Sequence, residues 1–195
     1  MLATIVLLLA VLSRILPVAF HAQAWNFTAI GGGLLFFGSR MGATNGTQRF
    51  TRLTALKLVS ALALLMATDY CLTVYGYGFA FHVNAYLVTW LWYAAVCLIG
   101  MGLLEKPSVL KVGVAALASS TSFFLLSNFM VWVGGSGIMY PHSLAGLEAC
   151  YAAALPFYRN DVVSTALTAG ALFGLPVLAA KIAESLHTAP NQPLA

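Results

Sequence analysis

Six stretches of the chain, Leu2 to Phe20, Phe27 to Ser39, Thr54 to Tyr75, Val83 to Leu104, Val109 to Val133 and Val162 to Leu186, are built almost wholly from apolar residues. A helix needs about 20 such residues to cross the hydrocarbon core of a bilayer. The pattern therefore predicts an all-α integral membrane bundle of six transmembrane helices, the second short and glycine-rich at Gly31, Gly32 and Gly33. Composition agrees, since 61% of the 195 residues are hydrophobic and only 7% are charged, against about a quarter charged in a soluble domain. In such a chain the net charge of +4 reports topology and not nucleic-acid binding. The expected surroundings are lipid.

Basic residues gather in cytoplasmic loops. Arg40, Arg49, Arg52, Lys57, Lys106, Lys111 and Lys181 share one side if both termini are cytoplasmic, which leaves Arg159 outside and Arg14 within the first span. The first span lacks the positive lead and the cleavage pattern of a signal peptide, so it reads as a retained helix. This arrangement places His21, the stretch "ATDYCLTVYGYGFAFHVN" (Ala67 to Asn84) and the connection from Gly134 to Asp161 together on the outer face. Within that connection, Ser143 to Tyr158 reads as a short helix between spans five and six, with Ser143 as its N-cap and Pro156 ending or kinking it. Residues 1–188 form a single transmembrane domain in this reading, and residues 189–195 a flexible tail.

Ionisable residues inside a membrane are functional candidates that are usually paired and turned inward. Arg14, Asp69 and Glu148 qualify, and an Arg14–Glu148 ion pair tying the short helix to the first span is the structural expectation. The three cysteines, Cys71, Cys97 and Cys150, are odd in number and have no C-x-x-C spacing, so neither a disulfide framework nor a zinc site follows. Cys97 and Cys150 sit where a free cysteine packs as a small hydrophobe. Cys71 differs, because it stands where the third span meets the outer surface, two residues after Asp69, and a reactive thiol needs access. His21, His82 and His142 fall in three different outer loops. They form a ligand or metal site if they converge and are merely solvated if they do not. Trp25, Tyr75, Tyr77, Tyr86, Trp132, Tyr140 and Tyr158 lie at the same level, as an interfacial aromatic belt of which a few members line a pocket.

The segments "SRILP" (Ser13 to Pro17), "WNFTAIGG" (Trp25 to Gly32), "SNFMVW" (Ser127 to Trp132) and "MYPHSLAGLEACYAAALPFYRN" (Met139 to Asn160) extend a further comparison over most of the chain. They resemble the substrate-binding S-components of bacterial energy-coupling-factor vitamin transporters. Within that group, the cysteine in "DYCLTVYGYG" resembles that of the BtuM vitamin B12 transporters. The resemblance implies a multi-pass protein of the bacterial cytoplasmic membrane whose outer loops, after spans one, three and five, close over a vitamin. It further implies that cobalamin is the transported substrate and that the Cys71 thiolate, a soft ligand suited to a transition metal, binds cobalt and can displace its upper ligand. Tyr75, Tyr77, His21 and Arg159 would help to hold the corrin, and Asp69, His82, Tyr140 and His142 complete the candidate binding set. The small-residue pattern A-x-x-x-A, by which such components dock on a shared ATPase module, is not provided by Ala3, Ala10 and Ala19, so that partner is in doubt. No Walker motif is present, so ATP hydrolysis is excluded for the chain itself. Two other readings stay open: a component for a different vitamin, if Cys71 is inert, and a membrane haem or redox protein using the outer thiol and histidines.

Overall fold

Three of the helix starts in this chain are set by hydroxyl side chains. Thr51 accepts a hydrogen bond from the Thr54 amide at 3.2 Å, Ser108 from Lys111 at 3.3 Å and Ser143 from Gly146 at 3.2 Å, each satisfying an amide that the first helical turn leaves without a partner. The computed structural model describes residues 1–20, 26–42 and 50–188, and among them the chain is all helical. The elements are α1 (Leu2–Ala19), α2 (Ile30–Ser39), α3 (Arg52–Cys71), α4 (Leu87–Leu103), α5 (Val109–Gly134) and α6 (Leu144–Thr188). A π-helical turn, Leu72–Gly76, extends α3 without a break, and a 3-10 turn, Val83–Ala85, precedes α4.

The bundle differs from a water-soluble one in that its outer surface is apolar as well as its core. On α1, Val6, Leu7, Ala10 and Val11 face inward, while Ile5, Leu8, Leu9, Leu12 and Leu16 are exposed. The outer faces of α5 and α6 likewise show Leu117, Leu125, Leu126, Leu155, Val163 and Leu167. Water would penalise so much contiguous apolar surface, and lipid does not. Four helical segments among the described residues, Leu2–Ala19, Arg52–Gly76, Val109–Gly134 and Leu144–Leu186, are long and apolar enough to cross a membrane. This is a membrane protein. The ten residues of α2 rise only about 15 Å, half the hydrocarbon thickness.

That short helix is nevertheless the centre of the bundle. Every residue of α2 from Ile30 to Gly38 is buried, against α1, α4, α5 and α6. Its glycines make the close approach possible: a Cβ on Gly32 would stand 2.7 Å from the Ala169 amide nitrogen of α6, and one on Gly38 would overlap the Cys97 carbonyl of α4. Gly100 of α4 returns the favour towards the Leu35 carbonyl. Between membrane helices, where lipid removes most of the hydrophobic drive, backbone proximity of this kind is what holds neighbours together.

α6 departs from the sequence reading. In place of a short helix at Ser143 to Tyr158 and a separate span, one helix runs for 45 residues through Pro156 and Pro176, a rise of about 67 Å. A proline removes one backbone donor, but in membrane helices neighbouring elements can hold the course. Here Tyr151 donates to the Leu125 carbonyl at 2.8 Å and Tyr158 shares a hydrogen bond with Thr121 at 2.8 Å, so both sides of Pro156 are tied to α5. The connection between α5 and α6 shrinks accordingly to residues 135–143. Arg159, expected in that outer connection, is instead an exposed residue within α6, next to Tyr158 and level with the middle of α5.

The described basic residues Arg40, Arg52, Lys57, Lys106 and Lys111 stand where α2 and α4 end and where α3 and α5 begin. Two apolar clefts of about 940 and 700 Å³ open at that basic end, beside Arg40 and Lys57 and beside Ser108 and Lys181 respectively. The polar side chains that converge in the bundle lie towards the opposite end.

Candidate functional site

Asp69, two residues from the end of α3, is 1% exposed. A carboxylate buried this deeply needs donors, and two neighbouring helices supply them. From α1, Arg14 Nη2 reaches Oδ1 at 2.5 Å. From α4, Trp90 Nε1 donates to Oδ2 at 3.0 Å and Tyr93 Oη to Oδ1 at 3.3 Å. The backbone joins in, because Thr73 Oγ1 donates to the Asp69 carbonyl at 2.7 Å and meets Tyr86 Oη at 2.5 Å.

The partner of Arg14 is therefore Asp69 and not Glu148. α6 packs on α5 and α2 and not on α1, which keeps Glu148 away from the first helix and exposed. Arg14 and Asp69, 55 residues apart in sequence, are brought together because α1 and α3 are neighbours in the bundle.

Clamping Asp69 inward decides where Cys71 goes. Two residues along an α-helix correspond to a turn of about 200°, so the thiol faces out, and Cys71 is exposed while Cys97 and Cys150 are buried. The exposed rings of Tyr75 and Tyr77 follow it. Behind them Tyr70 meets Phe81 edge-on at 5.2 Å, and Phe81 stacks on Tyr86 at 5.0 Å and on Trp90 at 6.3 Å. The aromatic wall thus runs from the surface near Cys71 to the donor that holds Asp69.

The other candidate residues are spread more widely. His82 and His142 are exposed, and Tyr140 is half-buried. His142 lies edge-on to Trp132 at 5.8 Å, and the Trp132 indole donates to the Pro141 carbonyl. His21 lies outside the described residues. No group of three His, Cys, Asp or Glu side chains able to hold a metal occurs among the described residues.

Sequence reasoning singled out Arg14 and Asp69 but missed most of the other residues that line the interior. A cavity of about 210 Å³ is bounded by Arg14, Asn26, Thr28, Asp69, Tyr93 and Asp161, among others. A second, of about 320 Å³, shares Asn26, Phe123 and Asp161 with it and continues along Ser120, Ser127 and Asn128. Tyr86, Trp90 and Tyr93, spaced i, i+4, i+7, announce one face of α4, and that spacing was the available signal for the two donors to Asp69.

The match that places this chain among known proteins is to DUF6580, a family of unknown function, and it extends over residues 1–186. The chain belongs to DUF6580. Every residue of the Asp69 clamp, Cys71 and both interior cavities falls within the part that DUF6580 covers. No curated protein and no solved structure matches the chain.

Proposed function

We propose that this protein takes up cobalamin across the bacterial cytoplasmic membrane, in a six-span topology with both termini cytoplasmic, and that Cys71 ligates the cobalt. The observation that carries the reading is the position of Cys71: an exposed thiol at the tip of α3, fixed in direction by the buried Asp69 and bordered by the exposed rings of Tyr75 and Tyr77. Flat apolar rings beside a soft donor suit a large conjugated macrocycle with a transition metal at its centre. The basic residues gathered at the opposite end support an outward-facing thiol.

The chemistry is a ligand exchange at Co(III). The Cys71 thiol loses its proton, the thiolate forms a Co–S bond, and the Co–C bond to cyanide breaks with its electron pair leaving on cyanide. The proton and cyanide leave as hydrogen cyanide, and cobalt keeps its oxidation state.

The test is the visible spectrum of cyanocobalamin mixed with the purified protein. Wild type, Cys97→Ser and Cys150→Ser should shift it, whereas Cys71→Ser should bind weakly or leave it unchanged. A Cys71→Ser protein that shifts the spectrum as wild type does would remove the ligand assignment and return the reading to another vitamin. A haem band in the purified protein would favour the redox alternative.

A further inference from the structure

The interior cavity holds a charge that the Asp69 clamp does not balance. Asp161 of α6 is 8% exposed and lines both polar cavities. Its Oδ2 has no hydrogen-bond partner among the described residues, and Ser120 lies beside it without the geometry of a full hydrogen bond. Arg14 is ion-paired with Asp69 through Nη2, while its Nη1 is buried without a partner among the described residues; the cavity of about 210 Å³ thus sets one guanidinium against two carboxylates, Asp69 and Asp161. Arg159, two residues from Asp161 and so about 200° around the helix, is exposed on another face. A buried carboxylate without a counter-charge is strongly disfavoured. Something positive belongs beside it.

The surroundings say which kind. The Ser120 hydroxyl of α5, which lines the larger cavity with Asp161, is buried and without a hydrogen-bond partner among the described residues. Asn26 adds an amide to the cavity wall. Among the described residues the lining offers carboxylate, hydroxyl and amide oxygens and no thiol or imidazole, and of its two carboxylates Asp69 is the one paired with Arg14, a donor set that suits an alkali-metal ion and not a transition metal. Tyr158 meets Thr121 near the midpoint of α5, so Asp161 lies deep in the bundle, at the depth where coupling-ion sites of secondary transporters are found. We infer that Asp161, with Ser120, binds a monovalent metal cation, of which sodium is the probe. The site is separate from Cys71 and does not depend on the identity of the transported solute.

The experiment uses the full chain in detergent, without corrin, with sodium chloride exchanged for choline chloride at constant ionic strength. Wild type should show a saturable rise in Tm with sodium, as expected when a ligand binds the folded state alone, and should bind radioactive sodium. Asp161→Asn should lose both responses. Ser120→Ala, which keeps the carboxylate, should retain the response with its sodium midpoint moved to higher concentration, and it serves if Asp161→Asn fails to fold. Equal melting of wild type in sodium, potassium and choline would overturn the inference, as would a sodium response that survives in Asp161→Asn. Melting that follows pH but not sodium would assign a proton to Asp161 and overturn it equally.

Discussion

Replacing Asp69 by Asn changes one atom and should cost the bundle a large share of its stability. The Asp69 carboxylate offers acceptors on both sides, Oδ1 to Arg14 and Tyr93 and Oδ2 to Trp90. An amide has one acceptor and one donor. In either orientation an N–H group faces a donor, so either Arg14 or Trp90 loses its partner, and the guanidinium is left without a counter-charge in a mostly buried position. Breaking one side of a buried ion pair costs about 3–5 kcal/mol, against about 5–15 kcal/mol for the total stability of a typical domain. Arg14→Met should cost a similar amount by stranding the carboxylate. The double substitution Arg14→Met with Asp69→Leu removes both charges and should be far less damaging than the sum, because apolar replacement of a whole pair is often close to neutral. Reversible unfolding in detergent of wild type, Arg14→Met, Asp69→Leu and the double variant, run as a double-mutant cycle, measures the coupling. Single variants within about 0.5 kcal/mol of wild type, or costs that simply add, would refute the account of Asp69 as the clamp of the outer bundle.

Gly100→Ala should destabilise by about 1–3 kcal/mol through overpacking, because its Cβ would overlap the Leu35 carbonyl, whereas Gly102→Ala has open space and should be near neutral; thermal melts of the two variants side by side decide this. In intact folded protein a maleimide should modify Cys71 and spare Cys97 and Cys150, which mass spectrometry after a brief exposure would check. In a background without native cysteines, His142→Cys should be labelled from outside the cell and Lys106→Cys only after the membrane is opened. The reverse pattern would put Cys71 on the cytoplasmic side.

The apolar runs announce α1, α3, α4 and α5 in the sequence because lipid demands long uncharged stretches, and Ser143 is legible as a helix cap by its chemistry. α6 is not legible as one element, since Pro156 followed by Arg159, Asn160 and Asp161 looks like a boundary to any rule that sees only neighbours in sequence. What carries the helix through is tertiary: the polar side of α5, Ser119 to Thr121, meets that polar segment of α6. The pairing of Arg14 was hidden for a related reason. Sequence picks out Arg14 and Asp69 as charges within apolar runs, but only the order of helices around α2 decides that these two meet and that Glu148 stays exposed. Cys71 could be singled out from its address alone, while Asp161, buried inside what reads as a loop, could not.

The clamp on Asp69 makes α3 a keyed shaft. Hydrogen bonds from Arg14, Trp90 and Tyr93 fix the rotational phase of the helix at one residue, and everything after that residue inherits the setting. Substitution at the exposed positions 70, 71 and 75 alters what the tip presents but not its bearing. Adding a single residue between Asp69 and Cys71 would turn the thiol by about 100°, towards the side on which Leu72 and Thr73 are now buried. For the thiol at this tip, the number of residues separating it from the clamp therefore matters as much as the identity of the residues around it.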